Sequence, residues 1–449
     1  MLLPLLIAIL IAVVFIIVTI SRFGWHPVFS LLVASLGLGF YFGLDGAAII
    51  STIGNGFGSI LSGIGLIVVL GSVIGVALEQ SGAAVRIAEA VLDFFGPKRP
   101  ALAVSVIGAL VSIPVFCDSG FILLAGLNRS LARKSGEALG VLSLALAAGL
   151  YTTHTLVPPT PGPIAAAGQL GADDYLGTIM LLGGIISIPV IMLAYFLSKK
   201  LGNSLVVEEA EGTSAGAELV DNRQVKAMPL WLSFAPLLLP ILLIATGTLV
   251  KFSGAENILA KTALFFGQPL MSLLVGCLPA YWLSTRIKAN FKAWTTKGVQ
   301  LSGPILIITG AGGAFGAILK ASPLQAAIKE SLAGGQLSFL VLLLLAFAIA
   351  ALLKTAQGSS TNALVITASL LAPLATVAGV SGAVQYALLV LAIGGGAMTV
   401  SHANDSYFWV VTRFSGIPVG QAYRSYTLLT GLMGLVTLGM VLVLALFIV

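Results

Sequence analysis

The chain has 449 residues, of which 58% are hydrophobic and 8% charged, with a mean hydropathy of +1.09. A soluble domain carries roughly a quarter of its residues as charges, so this composition excludes a soluble globule and indicates a polytopic membrane protein. The net charge of +6 sits mostly in Lys and Arg of loops between apolar runs, which excludes any need for a nucleic-acid partner.

Transmembrane spans are predicted at about 2–20, 27–43, 60–79, 137–170 (broken) and 175–198, then at about 230–250, 268–284, 302–320, 382–412 (broken) and 424–448. Met1–Ile20 lacks a basic leader and a small-residue cleavage site, so it reads as a retained helix. Between the two sets, residues 199–229 carry Glu208, Glu209, Glu211, Glu218 and Asp221 among Gly, Ser and Ala, a solvated cytoplasmic linker. Cys117 and Cys277 show neither disulfide nor zinc spacing and read as packing residues; no metal or cofactor is required.

The halves repeat. Pro27, Ser30, Leu31, Leu32, Val33 and Leu36 recur in order as Pro269, Ser272, Leu273, Leu274, Val275 and Leu278. Gly71, Gly75, Leu78, Ser81, Ile87 and Glu89 recur as Gly312, Gly316, Leu319, Ser322, Ile328 and Glu330. Apolar helices share leucines by default, but not matched Pro, Ser and Glu, and internal repeats of this kind mark transporters.

Each half also holds a pair of short apolar arms around a polar tip. In the second half these are Leu337–Leu353 and Ala363–Leu374 around Lys354-Thr-Ala-Gln-Gly-Ser-Ser-Thr-Asn362. In the first they are Ala101–Ile113 and Gly120–Ala132 around Pro114-Val-Phe-Cys-Asp-Ser119. An arm of that length reaches about 20 Å against a hydrocarbon core of about 30 Å, so both read as re-entrant hairpins, 101–132 and 337–374. Lys98 and Arg99 before the first hairpin, and Arg129, Arg133 and Lys134 after it, place both its ends in the cytoplasm. The fold class is therefore all-α, with two inverted-topology repeats of five transmembrane helices each, one hairpin per repeat, and hairpin tips that meet near the midplane. Helices within 1–45 and 230–284 form the scaffold.

After each hairpin comes a helix broken by polar residues: Thr152-Thr153-His154-Thr155 before a run of prolines, and Ser401-His402-Ala403-Asn404-Asp405. Ionisable groups at membrane depth are costly and mark function, which singles out Asp118, Lys354 and Asp405. Ser119, Ser359, Ser360, Thr361 and Asn362 begin the return arms, where hydroxyls and free N–H groups of a helix N-terminus suit a carboxylate. Thr153, His154, Lys354, His402 and Asn404 complete the expected substrate site. Asp118 and Asp405 are the expected proton carriers, Asp118 because Phe116 and Ile122 desolvate it. Whether Lys354 touches the substrate or pairs with Asp405 stays open. The Gly-rich runs around Gly63, Gly71 and Gly310 lack the Lys-Ser/Thr ending of a phosphate loop and read as close helix packing.

Ser112-Ile-Pro-Val-Phe-Cys-Asp118-Ser-Gly120, Gly310-Ala-Gly-Gly-Ala-Phe-Gly316, Ala356-Gln-Gly-Ser-Ser-Thr361 and Ser401-His-Ala-Asn-Asp405-Ser resemble the gluconate/proton symporter family of bacterial permeases, over nearly the full length. The resemblance implies a multi-pass protein of the bacterial inner membrane, related to the ion-transporter superfamily, a homodimer among membrane lipid, with elevator motion. It implies import of a small hydroxylated or amino carboxylate with H+: gluconate or a related sugar acid, glycerate, 3-hydroxybutyrate or D-serine. Na+ coupling is the alternative. The family more often has Arg where Lys354 stands. Two other classes compete. An intramembrane hydrolase would use Ser359 or Ser360 with His402 and Asp405, but gives no reason for the repeat. An anion channel would not concentrate its substrate.

Overall fold

The computed structural model describes residues 2–96, 99–207, 228–254, 256–323, 327, 337–403 and 405–448. Lys98, the five linker carboxylates, Ile328, Glu330 and Asn404 lie outside the described residues. All the regular structure described is helical. The first half comprises α1 (Leu2–Ser21), α2 (Pro27–Tyr41), α3 (Gly46–Ser81), α4 (Ala83–Phe95), α5 (Pro100–Val111), α6 (Cys117–Ser135), α7 (Leu139–Leu156), α8 (Pro161–Leu170) and α9 (Leu176–Gly202). The second comprises α10 (Leu230–Ser253), α11 (Ile258–Gly267), α12 (Pro269–Arg286), α13 (Phe291–Ala321), α14 (Phe339–Gln357), α15 (Ser360–Val377), α16 (Gly382–Met398), α17 (Ser406–Ser415), α18 (Val419–Ala422) and α19 (Leu428–Ile448). Among the described residues nine helices are long and apolar enough to cross a bilayer, or ten if α11 and α12, bent by 75°, form one span.

The halves exchange packing partners. Helix α2 packs on α13 and α12 on α3, each scaffold helix reaching across to the other half. Helix α5 packs on α7 and α14 on α16, within their own halves; α6 then packs on α17, and α15 on α8, again across halves. Each hairpin thus packs on both repeats, its return arm reaching across to the partner repeat as well as to its own.

Helices α3 and α13 form the central seam. Asp45 caps the start of α3 by accepting from Ala48 N at 2.8 Å, and left-handed Gly82 (φ 76°) ends it. At 36 and 31 residues the two run roughly 54 and 47 Å, longer than the hydrocarbon core. They approach through glycine: a Cβ on Gly56 would lie 2.6 Å from both Ala317 Cβ and Gly313 O. Sequence reading expects the third span to begin near residue 60. It begins at Gly46, because Thr52, Asn55 and Ser59 lower the local hydropathy yet line a polar cleft of about 380 Å³ with Gln169 and Lys320.

The hairpins differ from expectation in their arms. In the first, α5 stops at Val111 and α6 starts at Cys117, three residues before the predicted return. In the second, α14 and α15 have 19 and 18 residues, so by length each could cross the membrane alone. They are a hairpin because they pack on each other and reverse over two residues, Gly358 (φ 78°) and Ser359, whose Oγ accepts from Asn362 N at 3.2 Å as the cap of α15. Helix α9 continues through Lys199 and Lys200 to Gly202, into the predicted linker.

Candidate functional site

The site is built where the second hairpin tip meets the break between α16 and α17. The break, residues 399–405, is irregular backbone held by α19: Ser401 N donates to Thr430 Oγ1 at 3.1 Å, and Thr427 Oγ1 donates to Ser401 O at 2.6 Å. Val400 sits at φ 54°, a left-handed conformation that costs a β-branched residue about 1–3 kcal/mol and persists only where surroundings impose it. Irregular backbone at this depth is tolerated because it is enclosed by protein.

Lys354, on the last turn of α14, is fully buried. Its Nζ donates to Asp405 Oδ2 at 2.5 Å and to Gly358 O, and lies 5.7 Å from the centre of the Tyr151 ring. Asp405 Oδ2 also accepts from Ser401 Oγ, and its Oδ1 accepts from Tyr407 N at 3.1 Å as the cap of α17. One carboxylate therefore closes the hairpin tip onto the break and starts the next helix. Of the two roles left open by sequence, pairing of Lys354 with Asp405 is present in the structure. His402, beside it, has Nε2 2.9 Å from Thr355 O; a carbonyl only accepts, so Nε2 carries the proton and the ring anchors α14.

The first hairpin brings Asp118 to the same place. It lies in the first turn of α6, beside Ser406 at the start of α17 and within electrostatic range of Asp405 and Lys354. Its Oδ2 faces Cys117 Sγ at 3.9 Å, and among the described residues its buried Oδ1 has no hydrogen-bond partner. His154, 5% exposed near the end of α7, stacks on Tyr151 at 6.5 Å between ring centres and leans on Phe116 of the first tip at 6.2 Å. Its Nδ1 is also unpartnered.

Of the other predicted site residues, Thr153, Ser359 and Asn362 take part in hydrogen bonds within the fold. Thr153 Oγ1 donates to Ala109 O at 2.8 Å, pinning α7 to the rising arm of the first hairpin. Ser359 is the α15 cap, and Asn362 contributes its backbone N–H to it. Ser360 is buried beside Tyr151, Thr361 lies against Gly162 at the start of α8, and Ser119 is half-buried one residue past Asp118.

Sequence reading missed the aromatic and amide groups. Tyr151 and Tyr407 stand 5.2 Å apart and cross-link the halves, Tyr407 OH donating to Ala147 O at 3.1 Å and Tyr151 OH to Ala397 O at 3.5 Å. A tyrosine in an apolar span needs a partner for its hydroxyl, and that requirement was the available signal. Gln357, at the end of α14, has both side-chain polar atoms buried and unpartnered. Among the described residues no group of three or more His, Cys, Asp or Glu could hold a metal.

The arrangement offers no nucleophile with its base: Ser359 Oγ is a cap, His402 is bonded to a carbonyl, and Asp405 is paired with Lys354. It offers instead two hairpin tips, a buried ion pair and unpaired polar atoms between helix ends, the form of a transporter site. The sequence profile of the GntP family permeases matches residues 4–447. An uncharacterised permease of Haemophilus influenzae is 34% identical over 92% of this chain and 86% of its own. A gluconate permease of Zymomonas mobilis is 32% identical over 93% and 92%, and one of Pseudomonas aeruginosa 31% identical over 97% and 96%. In structure the chain is similar to the YdaH transporter of Alcanivorax borkumensis, described as having an unusual topology, with a TM-score of 0.65, 16% identity and 90% coverage of each chain. With the match running nearly end to end, the chain belongs to the GntP permease family and is a membrane permease.

Proposed function

We propose that the protein imports a small hydroxylated monocarboxylate, gluconate or a related sugar acid such as glycerate, together with a proton, across a bacterial inner membrane. The substrate is supported by relatives named gluconate permeases. Coupling is supported by one observation above the others: Asp118 keeps a buried carboxylate oxygen unpaired within electrostatic range of the Lys354–Asp405 pair. Asp405 already has its cation, so Asp118 is the carboxylate free to take and release a proton. The substrate carboxylate sits at the N-terminus of α15, where first-turn N–H groups have no intrahelical acceptor, with His154 beside it. The cleft lined by Thr52, Asn55, Ser59, Gln169 and Lys320 supports an aqueous approach from the extracytoplasmic side, with Lys320 attracting the anion.

The test is uptake into proteoliposomes under an imposed pH gradient. Wild type concentrates gluconate; Asp118→Asn keeps the shape, exchanges gluconate across the membrane, and loses accumulation by about tenfold or more. Accumulation by Asp118→Asn with an unchanged pH profile would make Asp118 dispensable, and accumulation that follows an imposed Na+ gradient would replace the proton.

We further infer an elevator movement of the hairpins with α7–α8 and α16–α17 against the scaffold helices within 1–45 and 230–284, in a homodimer. Its support is the way each hairpin packs across both repeats. Cysteines at Ser119 and Asn362, in a background without Cys117 and Cys277, should exchange accessibility to an impermeant thiol reagent when gluconate is added. Equal labelling in every condition would favour a static pore.

A further inference from the structure

Gln357 ends α14 one turn beyond Lys354, immediately before the left-handed Gly358. Among the described residues neither its Oε1 nor its Nε2 has a hydrogen-bond partner, and both atoms are shut away from solvent. Because both ends of the amide are unpaired, exchanging oxygen and nitrogen leaves the observation unchanged. The large majority of buried side-chain amides have a partner in protein or ordered water, so a doubly unpaired one at a hairpin tip points to a partner from outside the chain. The neighbouring groups are engaged: Lys354 with Asp405 and Gly358 O, Ser359 with Asn362 N, His402 with Thr355 O.

The chemistry of the partner follows from the inventory of the amide, one acceptor oxygen and one donor nitrogen. A carboxylate only accepts and leaves Oε1 unpaired. An ammonium only donates and leaves Nε2 unpaired. A hydroxyl does both: it can donate to Oε1 while accepting from the Nε2 hydrogen on the same edge of the amide, and so one hydroxyl answers both ends. Gln357 is separated by only Gly358 and Ser359 from the first turn of α15, where the carboxylate is placed above, so the hydroxyl within reach is the one on the carbon next to that carboxylate.

We propose that Gln357 is the specificity-determining residue for a 2-hydroxy group, restricting the permease to 2-hydroxy carboxylates. This rests on the transport reading above. A site that hydrogen-bonds a hydroxyl rejects the analogue lacking it far more strongly than an apolar pocket rejects a missing methylene.

The experiment compares gluconate with 2-deoxygluconate on purified protein, by calorimetry and by competition in counterflow. Wild type should prefer gluconate by about 100-fold or more. In Gln357→Leu, and in the length-matched Gln357→Met should the first not fold, gluconate binding should weaken by about 100-fold while 2-deoxygluconate changes by less than about threefold, so the preference collapses. A wild-type preference retained by the variants would overturn the assignment of Gln357 alone, as would a wild type that binds both acids equally. Binding of neither acid by wild type would overturn the transport reading and this inference with it.

Discussion

Lys354→Met is expected to lower the stability of the folded protein by about 3–5 kcal/mol, because it removes one partner of a buried ion pair and leaves the other charge enclosed. Asp405 would keep Ser401 Oγ and Tyr407 N but lose its cation. Asp405→Asn should cost a similar amount, since the Lys354 ammonium would retain only Gly358 O and the face of Tyr151 while fully buried. The double variant Lys354→Met with Asp405→Asn should recover at least half of the single loss, because no unpaired charge remains and Asn can still cap α17. Denaturation midpoints in detergent measure all three. Uptake should fail in both single variants, since the pair closes the second tip onto the α16–α17 break. A Lys354→Met protein within about 0.5 kcal/mol of wild type would mean the two groups are not paired, and would return Lys354 to the list of direct substrate ligands.

The pair was half visible in the sequence. Lys354 and Asp405 stood out because each is ionisable within an apolar run, but sequence carries no distance between residues on different helices, so contact with substrate and contact with each other looked alike. The same limit applies to Thr153: a polar residue beside a helix break reads as a ligand until its hydrogen bond to Ala109 O appears. Helix ends were misjudged for a related reason. Polar residues at 354–357 suggest a loop, yet they extend α14 by another turn, where Asp405 reaches across from the break to the Lys354 ammonium and the His402 ring to the Thr355 carbonyl. Asn55 and Ser59 shortened the predicted third span in the same way, although they face a polar cleft. What the sequence did disclose was periodic or duplicated: the repeat, the two hairpins, the two broken helices and the glycine pairs at equivalent positions. Gln357 is not legible in the sequence, since an uncharged amide between a lysine and a cap gives no signal until its partners can be counted.

Those duplicated glycines make the last prediction, in which equivalent positions behave differently. Gly75 on α3 and Gly316 on α13 correspond in the repeat, and both face a hairpin. A Cβ on Gly75 would lie 2.2 Å from Pro114 O in the first hairpin tip, whereas one on Gly316 would lie 3.4 Å from Ser369 O on α15. The first contact is with backbone, which cannot swing aside as a side chain does, so α3 or the tip must shift by an ångström or more. Overpacking of that kind costs about 1–3 kcal/mol, and here the displaced group is two residues from Phe116 and four from Asp118. Gly316→Ala meets the edge of an ordinary contact and gains the roughly 0.5–1 kcal/mol that alanine has over glycine inside a helix. Gly75→Ala is therefore expected to unfold earlier in detergent and to lose most gluconate uptake, while Gly316→Ala stays at or above wild-type stability and transports. Shortening the obstruction cannot rescue Gly75→Ala, because every residue at position 114 carries a carbonyl. Equal behaviour of the two variants would show that the first tip does not rest on α3, and with it would go the seat that positions Asp118.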